Sequence, residues 1–201
     1  MIKNIIKAPY FSTKKIIEET DKFRKEFWDN SVPVDIEKII EFKLGISIIP
    51  VPELCRMVDV DALIASNWKY LYVDRERYME EKYSNRLRFS LAHEIGHFVL
   101  HKEIYDSLGI NDVEDFYKFA MNIDEEQYGY FEIQANKFAS HLLIPHKKLI
   151  EEKDKLIKKL EANGFKKEDY DGETLNSVMA LKLADNFGTS SMSVEYALNR
   201  K

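Results

Sequence analysis

Residues 93–97 read His-Glu-Ile-Gly-His, inside the run RLRFSLAHEIGHFVLH at 86–101. Leu87, Leu91 and Phe98 recur at helical spacing through this run, and Ser84 stands where an N-cap belongs. The spacing therefore predicts a helix. On it, two residues four apart share a face and lie about 6 Å apart along the axis, so His93 and His97 can converge on one metal ion. Glu94 is turned about 100° away. It falls beside the water such an ion would hold, where a carboxylate acts as general base. A fold that uses this pattern must bring a third ligand to the same helix from elsewhere in the chain, because catalytic zinc usually takes three protein ligands and keeps one position open.

The sequence narrows that search. Cys55 is the one cysteine, so thiolate-rich zinc sites and an intrachain disulfide are excluded. An extended three-histidine motif on the same helix would need Gly at 100 and His at 103, where Leu100 and Glu103 stand. His101 lies about 12 Å from His93 along a straight helix, too far to share an ion. It is expected beside the ligands rather than among them. Glu132 fits better. It lies 35 residues after His97, within a helix expected over 125–143, whose stripe Phe131, Ala135, Phe138 and Leu142 can dock against the motif helix. Asn136, one turn further, can hold the second ring nitrogen of a ligand histidine. Asp124, Glu125 and Glu126 fall in a solvated acidic cluster at that helix's start, and His141 faces elsewhere.

Two imidazoles and a carboxylate around divalent zinc leave a net positive charge, which polarises a carbonyl and lowers the pKa of a bound water. The expected reaction is amide hydrolysis with Glu94 as base. Manganese or another divalent ion would also suit this ligand set. Tyr70, Tyr72, Tyr128, Tyr130, His101 and Arg88 are the available groups for stabilising an oxyanion.

The 201 residues suffice for one buried core and not for two comfortable domains. Helices are expected over 13–29, 35–44, 111–121, 146–163, 174–187 and 191–200 besides the two above. Ile46–Val51 reads as a strand, and Ala62–Val73 as a hairpin turning near Ser66-Asn67. The return strand YLYV (70–73) either offers an open edge to an extended peptide or is paired on both sides. The fold class is α+β, mostly helical with a small central sheet. No signal-type or membrane-length apolar run is present, so a cytoplasmic protein is expected.

RFSLAHEIGHFVLH followed by FEIQANKFASHLLIP resembles the paired signature of the ImmA/IrrE metallo-endopeptidases. PVDIEKII (33–40), LYVD (71–74) and FGTSSMSVEYALNR (187–200) are similar to further family segments. The resemblance implies a zincin-like metalloprotease domain with His93, His97 and Glu132 as zinc ligands and Glu94 as base. It implies one metallopeptidase domain over 1–201, family-like over 33–200, with 1–32 a helical extension packed on it. It also implies a protein substrate, a helix-turn-helix transcriptional repressor. The alternative is a non-catalytic regulator, or a toxin–antitoxin or phage-type partner, with a structural or idle metal site. LADNFGTSSMSVEYAL (183–198) does have a helix-turn-helix cadence. The net charge of −5 and the lack of a basic excess at either end argue against direct nucleic-acid binding.

Overall fold

A computed structural model describes residues 6–200. Helix α1 (Thr13–Phe27) begins at Ser12, whose hydroxyl accepts from the Lys15 backbone N–H at 3.2 Å. Ile16, Thr20 and Phe23 form its buried stripe. The next segment departs from the expected plain helix over 35–44. Asp35 caps a single α-turn, α2 (Ile36–Lys38), which widens into a π-helical turn at Ile39–Lys43, closed by Leu44 N–H donating to the Ile39 carbonyl. The wider turn lets Ile36, Ile39 and Ile40 all face the core while Phe42 stays in solvent.

Strands β1 (Ser47–Val51), β2 (Ala62–Ile64) and β3 (Tyr70–Asp74) form one sheet in the order β1-β3-β2. β2 and β3 are the expected hairpin, antiparallel with Ala62 opposite Val73. Of the two readings of YLYV, the doubly paired one holds and the open edge does not. β1 pairs parallel with β3, Ser47 opposite Tyr70, so β3 is central and closed on both sides. Pro50 lies in β1, an edge strand, where a missing N–H is tolerated. The other edge, β2, runs alongside helix α5 (Ser84–Leu100).

Short helices not anticipated from the sequence connect these elements: α3 (Leu54–Val58), α4 (Arg75–Met79) and α6 (Lys102–Leu108). Asp74 caps α4 through the Arg77 N–H at 3.1 Å. Ser84 does not cap α5; it is the helix's first residue, entered through a 3-10 turn at Glu81–Tyr83. Helix α7 (Val113–Asn122) starts at Asp112, and α8 (Glu125–Leu143) at Asp124, which accepts from the Glu126 and Gln127 N–H groups. Helices α9 (His146–Glu161), α10 (Gly172–Phe187) and α11 (Ser191–Leu198) close the described chain. The architecture is α+β, mostly helical with a small sheet, and among the described residues no helix is long and apolar enough to cross a membrane.

The central packing event is α5 against α8. Phe131, Ala135, Phe138 and Leu142, the stripe read from sequence, are all buried. Helix α1 covers α8 from outside, with Phe23 meeting Phe138 edge-on at 5.7 Å. Arg24 is buried and binds the Leu142 carbonyl at 2.9 Å and the Ser31 carbonyl at 2.7 Å. It thereby places a cation at the C-terminal end of α8, where carbonyls have no helical partner. Arg24→Met retains the apolar stem and removes both bonds. Urea unfolding is expected to show a loss of about 1.5–3 kcal/mol, the usual value of hydrogen bonds to a charged group.

Candidate active site

The geometry follows from two helices that cross closely. Gly96 faces Ala135, and a Cβ at position 96 would stand 3.0 Å from both the Cα and the carbonyl oxygen of Ala135. The missing side chain lets the α8 backbone approach the motif helix. Glu132, one turn before Asn136, is thereby carried over the two histidines.

His93 Nε2 and His97 Nε2 lie 3.0 Å apart. Glu132 reaches both, Oε2 at 3.2 Å from His93 Nε2 and Oε1 at 3.5 Å from His97 Nε2. Ligand atoms around a tetrahedral ion with bonds of about 2.0–2.1 Å stand roughly 3.3–3.4 Å from one another. The donor set of two imidazole nitrogens and one carboxylate therefore fits a divalent cation in spacing as well as in chemistry. His93, Glu94 and His97 also form a cluster whose ligand atoms all lie within 4.8 Å of one another. Glu94, however, is turned toward the sheet. Its Oε2 accepts the Ile64 N–H of β2 at 2.8 Å, which fixes the carboxylate at the side of the cluster.

The electrostatics suit a bound cation. Burial works to raise the Glu132 carboxyl, but the adjacent His93 and His97 rings outweigh this and hold it well below the usual range. For His93, burial opposes the charge, yet the bond to Glu132 and the neighbouring charges of Glu94 and Glu132 push it up to about 9. Burial lowers His97. The Glu132 carboxylate thus holds a proton on His93, the charge that a bound cation would replace. Burial pushes the Glu94 carboxyl up to about 8, marking it as a proton acceptor stronger than a solvated carboxylate.

The residues expected around the ligands fall as follows. Asn136 Oδ1 is 2.9 Å from His93 Nδ1. The motif helix ends at Leu100, so His101 leaves the helical path (φ −121°, ψ 12°) and its ring folds back to place Nδ1 3.0 Å from His97 Nδ1. Asp124 is occupied as a cap, Glu125 and Glu126 are exposed, and His141 is engaged by Arg200 away from the cluster. Of the groups considered for an oxyanion, Tyr128 lines the cleft. Burial and the adjacent Glu132 raise its pKa, so it remains a hydroxyl donor. Tyr72 donates instead to the Asn111 carbonyl, Tyr130 to Glu126 and Arg88 to the Gly188 carbonyl, and Tyr70 lies outside the cleft.

Other residues of the site had no sequence signal. Tyr105 of α6 lies against the His97 ring at 5.0 Å and is buried. Asp61 is buried at the cleft wall, bonded to Arg86, with Arg77 Nε at 3.5 Å. Phe116 of α7 is buried in one cluster with Leu54 and Leu63 and lines the same cleft. The cavity is about 200 Å³ and is floored by His93, Glu94, His97 and Glu132.

Residues 77–199 match the sequence model of the Peptidase_M78 family, the IrrE N-terminal-like domain. The chain belongs to this family. The assignment bears out the resemblance carried by the two sequence blocks, both of which lie inside the match. It brings with it a metallopeptidase activity at the level of the family, and hence a protein substrate and a metal ion. Comparison with curated proteins gives no match.

Proposed function

We propose that the protein is a zinc-dependent endopeptidase in which His93, His97 and Glu132 hold the ion and Glu94 is the general base. The observation that carries this reading is the meeting of three side chains from two crossing helices, with polar atoms at 3.0, 3.2 and 3.5 Å, and a second carboxylate, Glu94, alongside. A divalent ion in such a set acidifies a water and polarises a carbonyl. Manganese would satisfy the same ligands.

The chain's own groups do the rest. Glu94, anchored through Oε2 by the Ile64 N–H, has Oε1 free to take the proton that the attacking water loses and return it to the leaving nitrogen. Tyr128, a hydroxyl at the cleft wall, is a donor for charge developing on the carbonyl oxygen. The peptide would lie along β2. Asp61 and Ala65 bond inward to β3, so the alternate residues Ala62 and Ile64 turn their backbone groups to the cleft, and Ala62 can pair with an extended substrate. The open edge is thus the outgoing strand of the hairpin.

The reading extends to the whole chain. Residues 1–201 work as one cytoplasmic domain, supported by α1 sharing the core of α8, and the substrate is a helix-turn-helix repressor. Nucleic acid is not a direct partner, in keeping with the acidic net charge. Incubating the zinc-loaded protein with a repressor encoded beside it, then locating the cut by mass spectrometry, tests the reading. A single cut abolished by chelator is expected; an uncut repressor removes the substrate, and absence of bound zinc on elemental analysis removes the mechanism. Glu132→Ala should lower zinc affinity by more than about 100-fold, beyond the 10–100-fold typical of losing a ligand's supporting residue. Full zinc occupancy at micromolar metal would point to another third ligand.

A further inference from the structure

Behind the metal cluster a line of polar contacts runs from the ligand His97 to the N-terminal segment. His97 Nδ1 is 3.0 Å from His101 Nδ1, His101 Nε2 is 3.5 Å from Gln134 Oε1, and Gln134 Nε2 is 2.8 Å from the Pro9 carbonyl. His101 is 1% exposed, with Phe131 edge-on at 4.8 Å and Phe11 at 6.4 Å, so its ring has these two polar neighbours and an apolar remainder. Pro9 and Ala8, whose N–H donates to Gln127 at 2.9 Å, lie outside the region 77–199 that matches the family.

Each contact dictates the next. A backbone carbonyl only accepts, so Gln134 must turn its NH₂ to Pro9 and its carbonyl oxygen to His101. A carbonyl oxygen only accepts, so the proton of His101 sits on Nε2 and Nδ1 is left with a lone pair. That lone pair can be met only by an N–H, so the proton of His97 sits on Nδ1. The Nε2 lone pair of His97 is then directed at His93 and Glu132. Reversing the Gln134 amide would reverse every link and put a proton on His97 Nε2, the atom facing the cluster.

We propose that Gln134, oriented by the Pro9 carbonyl, is a positioning residue that sets the tautomer of His97 through His101 and thereby the site's affinity for its metal. The proposal rests on the reading of His97 as a ligand, but the tautomers can be measured whether or not metal binds. His93 is served separately by Asn136, so the two ligands have different supports: a side-chain amide one turn from Glu132, and a three-residue line ending on the N-terminal segment.

Long-range ¹H–¹⁵N correlation spectra of the full chain, metal-free and zinc-loaded, distinguish the two neutral tautomers of each ring. The expected pattern is Nε2–H for His101 in both states and Nδ1–H for His97 in the loaded protein. A proton on His101 Nδ1 would overturn the proposal. Gln134→Leu, close in volume and without the acceptor, should mix the His101 tautomers and raise the zinc Kd by about 10–100-fold in chelator competition. Wild-type affinity and tautomers in that variant would refute it, and if the variant does not fold the wild-type spectra decide alone. A chain that shows the tautomers but binds no zinc sinks the metal reading and spares the hydrogen-bond line.

Discussion

Glu94→Gln is expected to keep the fold and the metal and to cost at least about 10²–10⁴-fold in peptide hydrolysis, the contribution of a positioned general base. The substitution changes little else. Gln has the shape of Glu, and its amide oxygen can still accept the Ile64 N–H that holds the present carboxylate at 2.8 Å. It removes the group that can take a proton. Glu94 is 7% exposed and its carboxyl is raised by burial, so a neutral side chain there carries no penalty of its own. Glu94 is not among the proposed ligands His93, His97 and Glu132, so zinc content by elemental analysis should equal that of the wild type. Circular dichroism and metal content measured beside the cleavage assay separate loss of chemistry from loss of structure. Retained hydrolysis with zinc bound would remove Glu94 from its role.

What the sequence revealed here follows the range of the interactions concerned. His93 and His97 are related by one helical turn, a local rule, and the rule was enough. Glu132 is a long-range partner, yet its own helix advertised the docking face through Phe131, Ala135, Phe138 and Leu142, all buried at the crossing. Asn136 followed from Glu132 by the same periodicity. The unread parts depend on chain breaks and on distant pairing. His101 reaches His97 because α5 stops at Leu100, and Tyr105 covers the His97 ring because α6 restarts at Lys102 at a new angle. The strand order depends on β1 pairing directly with β3 and not with β2, its neighbour in sequence, which alternation within each strand does not encode. Gln134 and Pro9 are 125 residues apart, and their contact has no local signature.

Gly96→Val is expected to separate the two helices that make the site. The nearest atoms to a new Cβ are the Cα and carbonyl oxygen of Ala135, both at 3.0 Å, with Ala135 Cβ at 3.3 Å. None is the movable end of a side chain, so α8 itself must shift. Overpacking of this kind costs about 1–3 kcal/mol, and valine recovers only part of it through better helix propensity than glycine. The shift is transmitted to Glu132, one helical turn from Ala135, whose oxygens sit 3.2 and 3.5 Å from the histidine nitrogens. A displacement near 0.5 Å exceeds what a preorganised site tolerates, so zinc affinity should fall together with stability. Gly129 supplies the control on α8, the helix that carries Glu132. A Cβ there meets nothing within 4 Å, so Gly129→Ala should stabilise the protein by about 0.5–1 kcal/mol through helix propensity and leave zinc binding unchanged. Opposite signs for two glycine replacements, read by thermal melts with and without zinc, would tie the site to the close crossing of α5 and α8. Equal zinc affinity in Gly96→Val and the wild type would show that the crossing distance does not set the position of Glu132.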